Sequence, residues 1–235
     1  VKKCRYCNFY SMTNYNDALM HKYFLSLIEE LKNTLDKFRF SLETVYFGGG
    51  TPSLVPIKEY EIFFDFLEKK KLLKSNAETT IEINPGTINN EYIKELKPFF
   101  NRISLGTQSF NGKKLKFLGR IQSVKENHKT LYFLDKYGFK NVSIDFIFAL
   151  PFENEKILEN DLLIIEKFPH IKHISSYELT YEKNTPLYQF INHKLCEEKI
   201  INLYKKRNYI LKNLGFNQYE VSNFSKPKFE SKHNS

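Results

Sequence analysis

Cysteine is scarce in this chain: 235 residues hold only Cys4, Cys7 and Cys196. Three thiols make no disulfide framework, which excludes a stapled secreted scaffold and predicts a reducing, cytoplasmic setting. Arginine is scarce too. Of 36 Lys and Arg residues only Arg5, Arg39, Arg102, Arg120 and Arg207 are arginine, so the net charge of +9 is carried almost wholly by lysine. Stretches such as LEKKKLLK and NGKKLKFL, interspersed with glutamate, read as a solvated lysine surface. Without arginine clusters or an aromatic-basic stripe, a nucleic-acid module is disfavoured, while peripheral contact with an anionic membrane stays open. No apolar run approaches the roughly 18 residues of a membrane span. Residues 1–30 lack the apolar centre of a signal peptide. No repeat or linker divides the chain.

What is present is apolar and aromatic, 41% and 16% respectively, enough for one large domain or a barrel. Strands are predicted at 44–49, 79–84, 102–108, 141–150 and 173–180, as apolar runs covered on both faces. Helices are predicted near 14–37, 56–71, 89–98, 123–137, 153–167 and 197–214. Asn16 or Asp17 would cap the first, and Gly138 would close the fourth. Such alternation implies a parallel sheet with right-handed crossovers: a full or partial (β/α) barrel, with an open doubly wound sheet as competitor.

Barrel chemistry sits at the C-terminal ends of strands. FGGGTPS (47–53) puts three glycines there, where backbone and ligand can approach closely, or where a tight turn is needed. Glu82 in EINPGT is a carboxylate inside an apolar run and needs a partner. Gln108 ends the next strand. Arg120, in LGR, is a planar fork suited to a carboxylate, or a surface ion pair. Asp145 stands among apolar neighbours, suited to ribose hydroxyls or to a structural hydrogen bond. Together these groups fit a zwitterionic nucleoside. The Cys4/Cys7 pair suits a metal or a cluster. A zinc knuckle lacks two further ligands, a redox-active C-x-x-C stays open, and an iron–sulfur cluster needs another thiolate.

VKKCRYCNFYS, VYFGGGTPSL, IEINPGTI, RISLGTQSFN, LGRIQS, SIDFIFALP, SYELTYEKNTPLY and NQYEVSNFSKPKFESKHN resemble, in order and over the whole length, the radical S-adenosylmethionine (SAM) proteins related to oxygen-independent coproporphyrinogen III oxidase, most of all their heme chaperone (HemW) subgroup. The resemblance implies an α/β fold, a partial (β/α) TIM-type barrel of the radical SAM kind, truncated at both ends with the first strand and the C-terminal domain missing. Residues 1–222 would be the core and 223–235 the start of the heme-chaperone region. The family motif is C-x-x-x-C-x-x-C, and Val1 to Cys7 match it from its second position. Cys4 and Cys7 are thereby implied as ligands of a [4Fe–4S] cluster. Tyr6, Gly49, Gly50, Thr51, Glu82, Gln108, Arg120 and Asp145 are implied as SAM contacts. The implied chemistry is one-electron cleavage of the SAM sulfonium, with the protein orienting the cofactors and excluding water. Cys196 fits no cluster role and is expected to be a buried or neutral thiol. Phe9 stands where the porphyrinogen-oxidising enzymes carry a further cysteine, and KHNS resembles the start of the chaperones' H-N-x-x-Y-W motif. His233 is thus implied in heme handling. The expected function is heme transfer to an acceptor protein, with an electron donor such as a flavodoxin or ferredoxin. The alternative is oxidative decarboxylation of coproporphyrinogen III.

Overall fold

The computed structural model describes residues 3–12 and 14–234. Val1 and Lys2, which open the expected cluster motif, and Ser235, in the expected heme region, lie outside the described residues. Among the described residues seven helices and seven strands follow in the order α1 Asp17–Leu35, β1 Leu42–Phe47, α2 Ile57–Lys69, β2 Leu73–Ile83, α3 Asn90–Leu96, β3 Arg102–Gln108, α4 Gly112–Leu118, α5 Val124–Lys136, β4 Val142–Phe148, α6 Glu155–Leu162, β5 Ile171–Glu178, α7 Glu197–Asn213, β6 Asn217–Gln218 and β7 Asn223–Ser225. Short 3-10 turns occur at Pro52–Leu54, Leu163–Lys167 and Pro186–His193.

The strands form one sheet in the order β1-β2-β3-β4-β5-β7-β6. The pairs from β1 to β5 are parallel, as the alternation predicts, and β7 joins antiparallel to β5 and β6. Every residue of β3 is buried, the burial expected of a parallel strand covered on both faces. The sheet is curled: Ser231 and Lys232, beyond β7 at one margin, reach Glu78 Oε1 (3.4 Å) and the Asn76 carbonyl (2.7 Å) of β2 near the other.

Asparagine starts most of these helices. Asn16, Asn89, Asn111 and Asn154 each accept a backbone N–H of the first turn, and Ser123 with Glu126 forms a capping box before α5. Gly119 and Gly138 take left-handed conformations after α4 and α5. Helix α4 is not among the expected helices. Its seven residues open on glycine and carry three lysines, so periodicity barely marks it. Strands β6 and β7 are too short to show a period of two. Lys114 departs from the reading of NGKKLKFL as solvated surface, because its side chain is fully buried, while Lys113 and Lys116 are exposed. Cys196 is exposed rather than buried, at the residue before α7.

Aromatic rings seat α1 and α2 on β1. Tyr60 lies edge-on to Phe47 (5.0 Å between centroids) and Phe100 (5.1 Å), geometry worth about 0.5–1.5 kcal/mol per pair beyond burial. The Tyr60 and Tyr92 hydroxyls then donate to the carbonyls of Pro52 (2.8 Å) and Val55 (2.6 Å). The core thus fixes the loop that follows the three glycines.

Candidate cofactor site

A cavity of about 1900 Å³ opens at the C-terminal ends of the strands, and Cys4, Cys7, Gly49, Glu82, Arg120 and Asp145 all reach it. Tyr6, Gly50, Thr51 and Gln108 line it too. The residues singled out as SAM contacts and cluster ligands therefore share one space, and His233 does not.

The glycines have separate reasons. A Cβ on Gly48 would fall 2.7 Å from the Tyr46 ring and 3.0 Å from Glu82 Oε1. Gly48 is thus where backbone and side chains pass closely. Gly49 is left-handed, φ +104°, and a Cβ on Gly49 or Gly50 would meet nothing within 4 Å. That bare backbone faces the cavity. Glu82 accepts the Tyr46 hydroxyl at 2.8 Å and the Gly49 N–H. Its partner is a tyrosine and a turn, not a core lysine. Burial raises its pKa, while both bonds oppose the rise.

Arg120 is not a surface ion pair. Its Nη2 donates to Asn84 Oδ1 (2.6 Å) and the Gly106 carbonyl (2.8 Å), its Nε to Gln122 Oε1 (3.0 Å), and its Nη1 to Cys4 Sγ (3.3 Å). A Cβ on Gly106 would lie 2.9 Å from Asn84 Oδ1 and 3.4 Å from Arg120 Nη2, so glycine admits the fork. Asn84 Nδ2 also donates to Thr51 Oγ1 at 3.4 Å.

The thiol turn docks on the same segment. Cys7 N–H bonds the Cys4 carbonyl (3.3 Å), and between them Arg5 donates N–H to the Leu118 carbonyl (3.0 Å) while its own carbonyl accepts Leu187 N–H (2.9 Å). The Arg5 side chain covers Gly119, where a Cβ would fall 2.4 Å from Arg5 Cγ. LGR thus carries the docking glycine and the fork in adjacent residues. Among the described residues no group of three or more His, Cys, Asp or Glu side chains is placed to hold a metal ion.

Asp145 has its pKa pushed up to about 7 by burial and by the Glu82 carboxylate, with Arg120, Arg102 and the Ser175 hydroxyl opposing. Tyr6 has its phenol raised chiefly by burial. It packs against the apolar cluster of Leu118, Ile147, Leu150, Leu179, Tyr181 and Leu187. Gln108 ends β3 in a left-handed conformation, φ 61°. His233 stacks on Tyr46 (4.4 Å, 16° between planes), on the ring whose hydroxyl holds Glu82.

Sequence reasoning missed Asn84, Gln122, Tyr46 and Gly106. It also missed a buried lysine with two carboxylates behind Gln108. Lys114 Nζ contacts Glu153 Oε1 (2.6 Å) and Asp161 Oδ2 (2.8 Å). Asn84 lies two residues after Glu82, just past the end of β2, and that place at a strand end was the available signal. Nothing local marked Lys114.

The Radical SAM superfamily model matches residues 1–164. The chain is 36% identical to the heme chaperone HemW of Lactococcus lactis subsp. lactis (strain IL1403), over 98% of this chain and 61% of that protein. It is 33% identical to HemW of Haemophilus influenzae (strain ATCC 51907 / DSM 11121 / KW20 / Rd), over 100% of this chain and 62% of that one. It therefore spans about three-fifths of the length of these relatives. The solved structure of coproporphyrinogen III oxidase (HemN) from Escherichia coli, a radical SAM enzyme, superposes with a TM-score of 0.85 at 20% identity, over 97% of this chain and 54% of that one, and shares the half-barrel fold.

Proposed function

The chain belongs to the radical SAM superfamily, and on that premise we propose that it is the core of a HemW-like heme chaperone that holds a [4Fe–4S] cluster and SAM and passes heme to acceptor proteins. The observation that carries this reading is the convergence of both thiols of one turn, a caged arginine, an unobstructed glycine backbone and two half-buried carboxylates on one cavity.

The residues present fit the groups. Cys4 and Cys7 are soft donors suited to iron, and Arg120, which donates to Cys4 Sγ, would offset the charge of ligands to a cluster held there. Gly49 and Gly50 leave bare backbone where a zwitterion's polar end can lie, and Glu82 and Asp145 offer acceptors for an ammonium or for hydroxyls. When bound, the cluster and SAM supply one-electron cleavage of a sulfonium carbon–sulfur bond. The chain's part is to bind and orient. Asn84, Gly106 and Gln122 keep the guanidinium from swinging, Tyr46 keeps Glu82 against the Gly49 amide, and Tyr6 closes the apolar side against water.

Residues 1–222 are proposed as the radical SAM core and 223–235 as the opening of the heme-handling region, with β7 still in the sheet and His233 as its candidate heme contact. A cytoplasmic location and a flavodoxin- or ferredoxin-like electron donor belong to the same proposal; no described helix is long and apolar enough to cross a membrane. Phe9 is 76% exposed at the position that separates this reading from porphyrinogen oxidation. The test uses the full-length protein, reconstituted without oxygen. Iron, acid-labile sulfide and stoichiometric heme binding, all iron lost in Cys4→Ala or Cys7→Ala, are expected. Vinyl products from coproporphyrinogen III would favour the oxidase instead, and a parent free of iron would end both readings.

A further inference from the structure

Two neighbouring strands end on residues with side chains in a backbone conformation that residues other than glycine rarely adopt; Gln108 lines the cavity and Ala149 is buried. Gln108 ends β3 with φ 61°, and Ala149, one residue past β4, has φ 66°. Such conformations cost about 1–3 kcal/mol each and persist only where surrounding contacts hold them. Asn127 Nδ2 holds the carbonyls on either side of Gln108, Thr107 (3.2 Å) and Ser109 (2.9 Å), and a second set of contacts, shared by both ends, converges on one buried ammonium.

Directly after Gln108, the Ser109 hydroxyl donates to Asp161 Oδ2 (2.6 Å), and Phe110 N–H donates to Asp161 Oδ1. Directly after Ala149, Leu150 N–H donates to Glu153 Oε2 (3.1 Å). Lys114 Nζ bonds the Glu153 and Asp161 carboxylates together, and all three side chains are sealed from water. Both carboxylates are held away from solvent, and the ammonium that joins them is their shared counter-charge. Thr107 Oγ1 adds a bond to the Asp145 carbonyl (2.6 Å), so β3 and β4 present Gln108 and Asp145 as one unit.

We propose that Lys114, with Glu153 and Asp161, is a positioning clamp that holds the left-handed ends at Gln108 and Ala149 and thereby sets the wall of the SAM site formed by β3 and β4. The clamp touches no ligand. It acts by keeping two backbone turns in conformations their sequence alone would abandon. Its effect on affinity rests on the SAM-binding reading above; its effect on the backbone does not.

The test uses the full-length protein with its cluster reconstituted, and three readouts: iron content, SAM affinity by calorimetry, and amide hydrogen exchange of segments 106–112 and 147–153. In Lys114→Met the two segments are expected to exchange faster together, and SAM affinity is expected to fall roughly tenfold with iron retained. Adding Ala149→Gly to Lys114→Met relieves the left-handed penalty at one end and is expected to recover about threefold of that loss. A lysine with a merely structural role would make the added glycine neutral or harmful. Should Lys114→Met not fold, Asp161→Asn serves: it keeps an acceptor for Phe110 but weakens the lysine contact, and segment 106–112 should loosen more than 147–153. Unchanged exchange in both segments, or loosening of one without the other in Lys114→Met, overturns the clamp. A parent that holds iron but binds no SAM overturns the SAM reading, while coupled loosening of the two segments would still establish the clamp.

Discussion

Arg120 and Cys4 stand 116 residues apart in the chain, yet Nη1 of one donates to Sγ of the other at 3.3 Å. The same guanidinium is fixed on its other edges by Asn84, Gly106 and Gln122. Arg120→Ala is expected to leave iron content unchanged and weaken SAM binding at least about tenfold, the scale of a lost charge-assisted contact. Arg120→Lys should not restore it, because one ammonium cannot reproduce the fork. Calorimetric titration of the reconstituted protein decides this, and unchanged affinity removes Arg120 from the site.

Asp145 gives a pH dependence. Its carboxyl is raised from an ordinary 3.8 to about 7. A raised folded-state value means that ionisation favours the unfolded chain, so this group lowers stability as pH rises from about 4 to about 7. Asp145→Asn should therefore melt higher than the parent at pH 8 in the absence of ligand, by on the order of 1 kcal/mol, and no differently below pH 3.8. SAM affinity of the parent should fall below pH 7 as the carboxylate is protonated, and the Asn variant should be weaker with a shallower profile. Melting curves and titrations at three pH values test both halves.

Neighbouring glycines should respond in opposite ways. Gly48→Ala places a methyl against Tyr46 and Glu82 and should cost about 1–3 kcal/mol of stability. Gly50→Ala places one where nothing lies within 4 Å and should leave stability within about 0.5 kcal/mol while reducing SAM affinity. Equal melting losses in the two variants would contradict the assignment of Gly50 to the cradle.

Tyr46 links two proposed functions that mutation should separate. Tyr46→Phe keeps the ring under His233 and removes the Glu82 bond. SAM affinity should drop roughly three- to tenfold, the weight of a hydrogen bond to a charged group, with heme retention unchanged. His233→Ala should lower heme affinity instead. Heme titration of the full-length protein followed in the visible spectrum, beside SAM calorimetry, would show whether the two effects part.

The parallel half-barrel was legible because most units repeat a local pattern: an apolar strand, an asparagine or serine cap, an amphipathic helix. Strand β3 matched its expected bounds. The predicted site residues lay at strand ends or in the loops after them, and topology gathers those ends on one side, so most of them share the cavity. Arg120 was found through its rarity, but rarity does not name a partner. Lys114 was misread because a lysine in a lysine-rich run looks solvated, and only two carboxylates 39 and 47 residues away make its burial tolerable. Cys196 was expected to be buried or neutral, and its place just before α7 leaves it exposed.

By itself the amino-acid order determined the five parallel strands, the six expected helices and which turn carries the thiols, because these depend on side-chain period and on hydrogen bonds within a few residues; it did not mark α4, β6 or β7. The tertiary structure alone decided that Arg120 faces Cys4, that Lys114 joins Glu153 to Asp161, and that His233 lies on Tyr46. Those pairs are set by how each crossover packs its helix back on the curled sheet, and distances of a few ångströms between residues far apart in the chain leave no periodic trace in it.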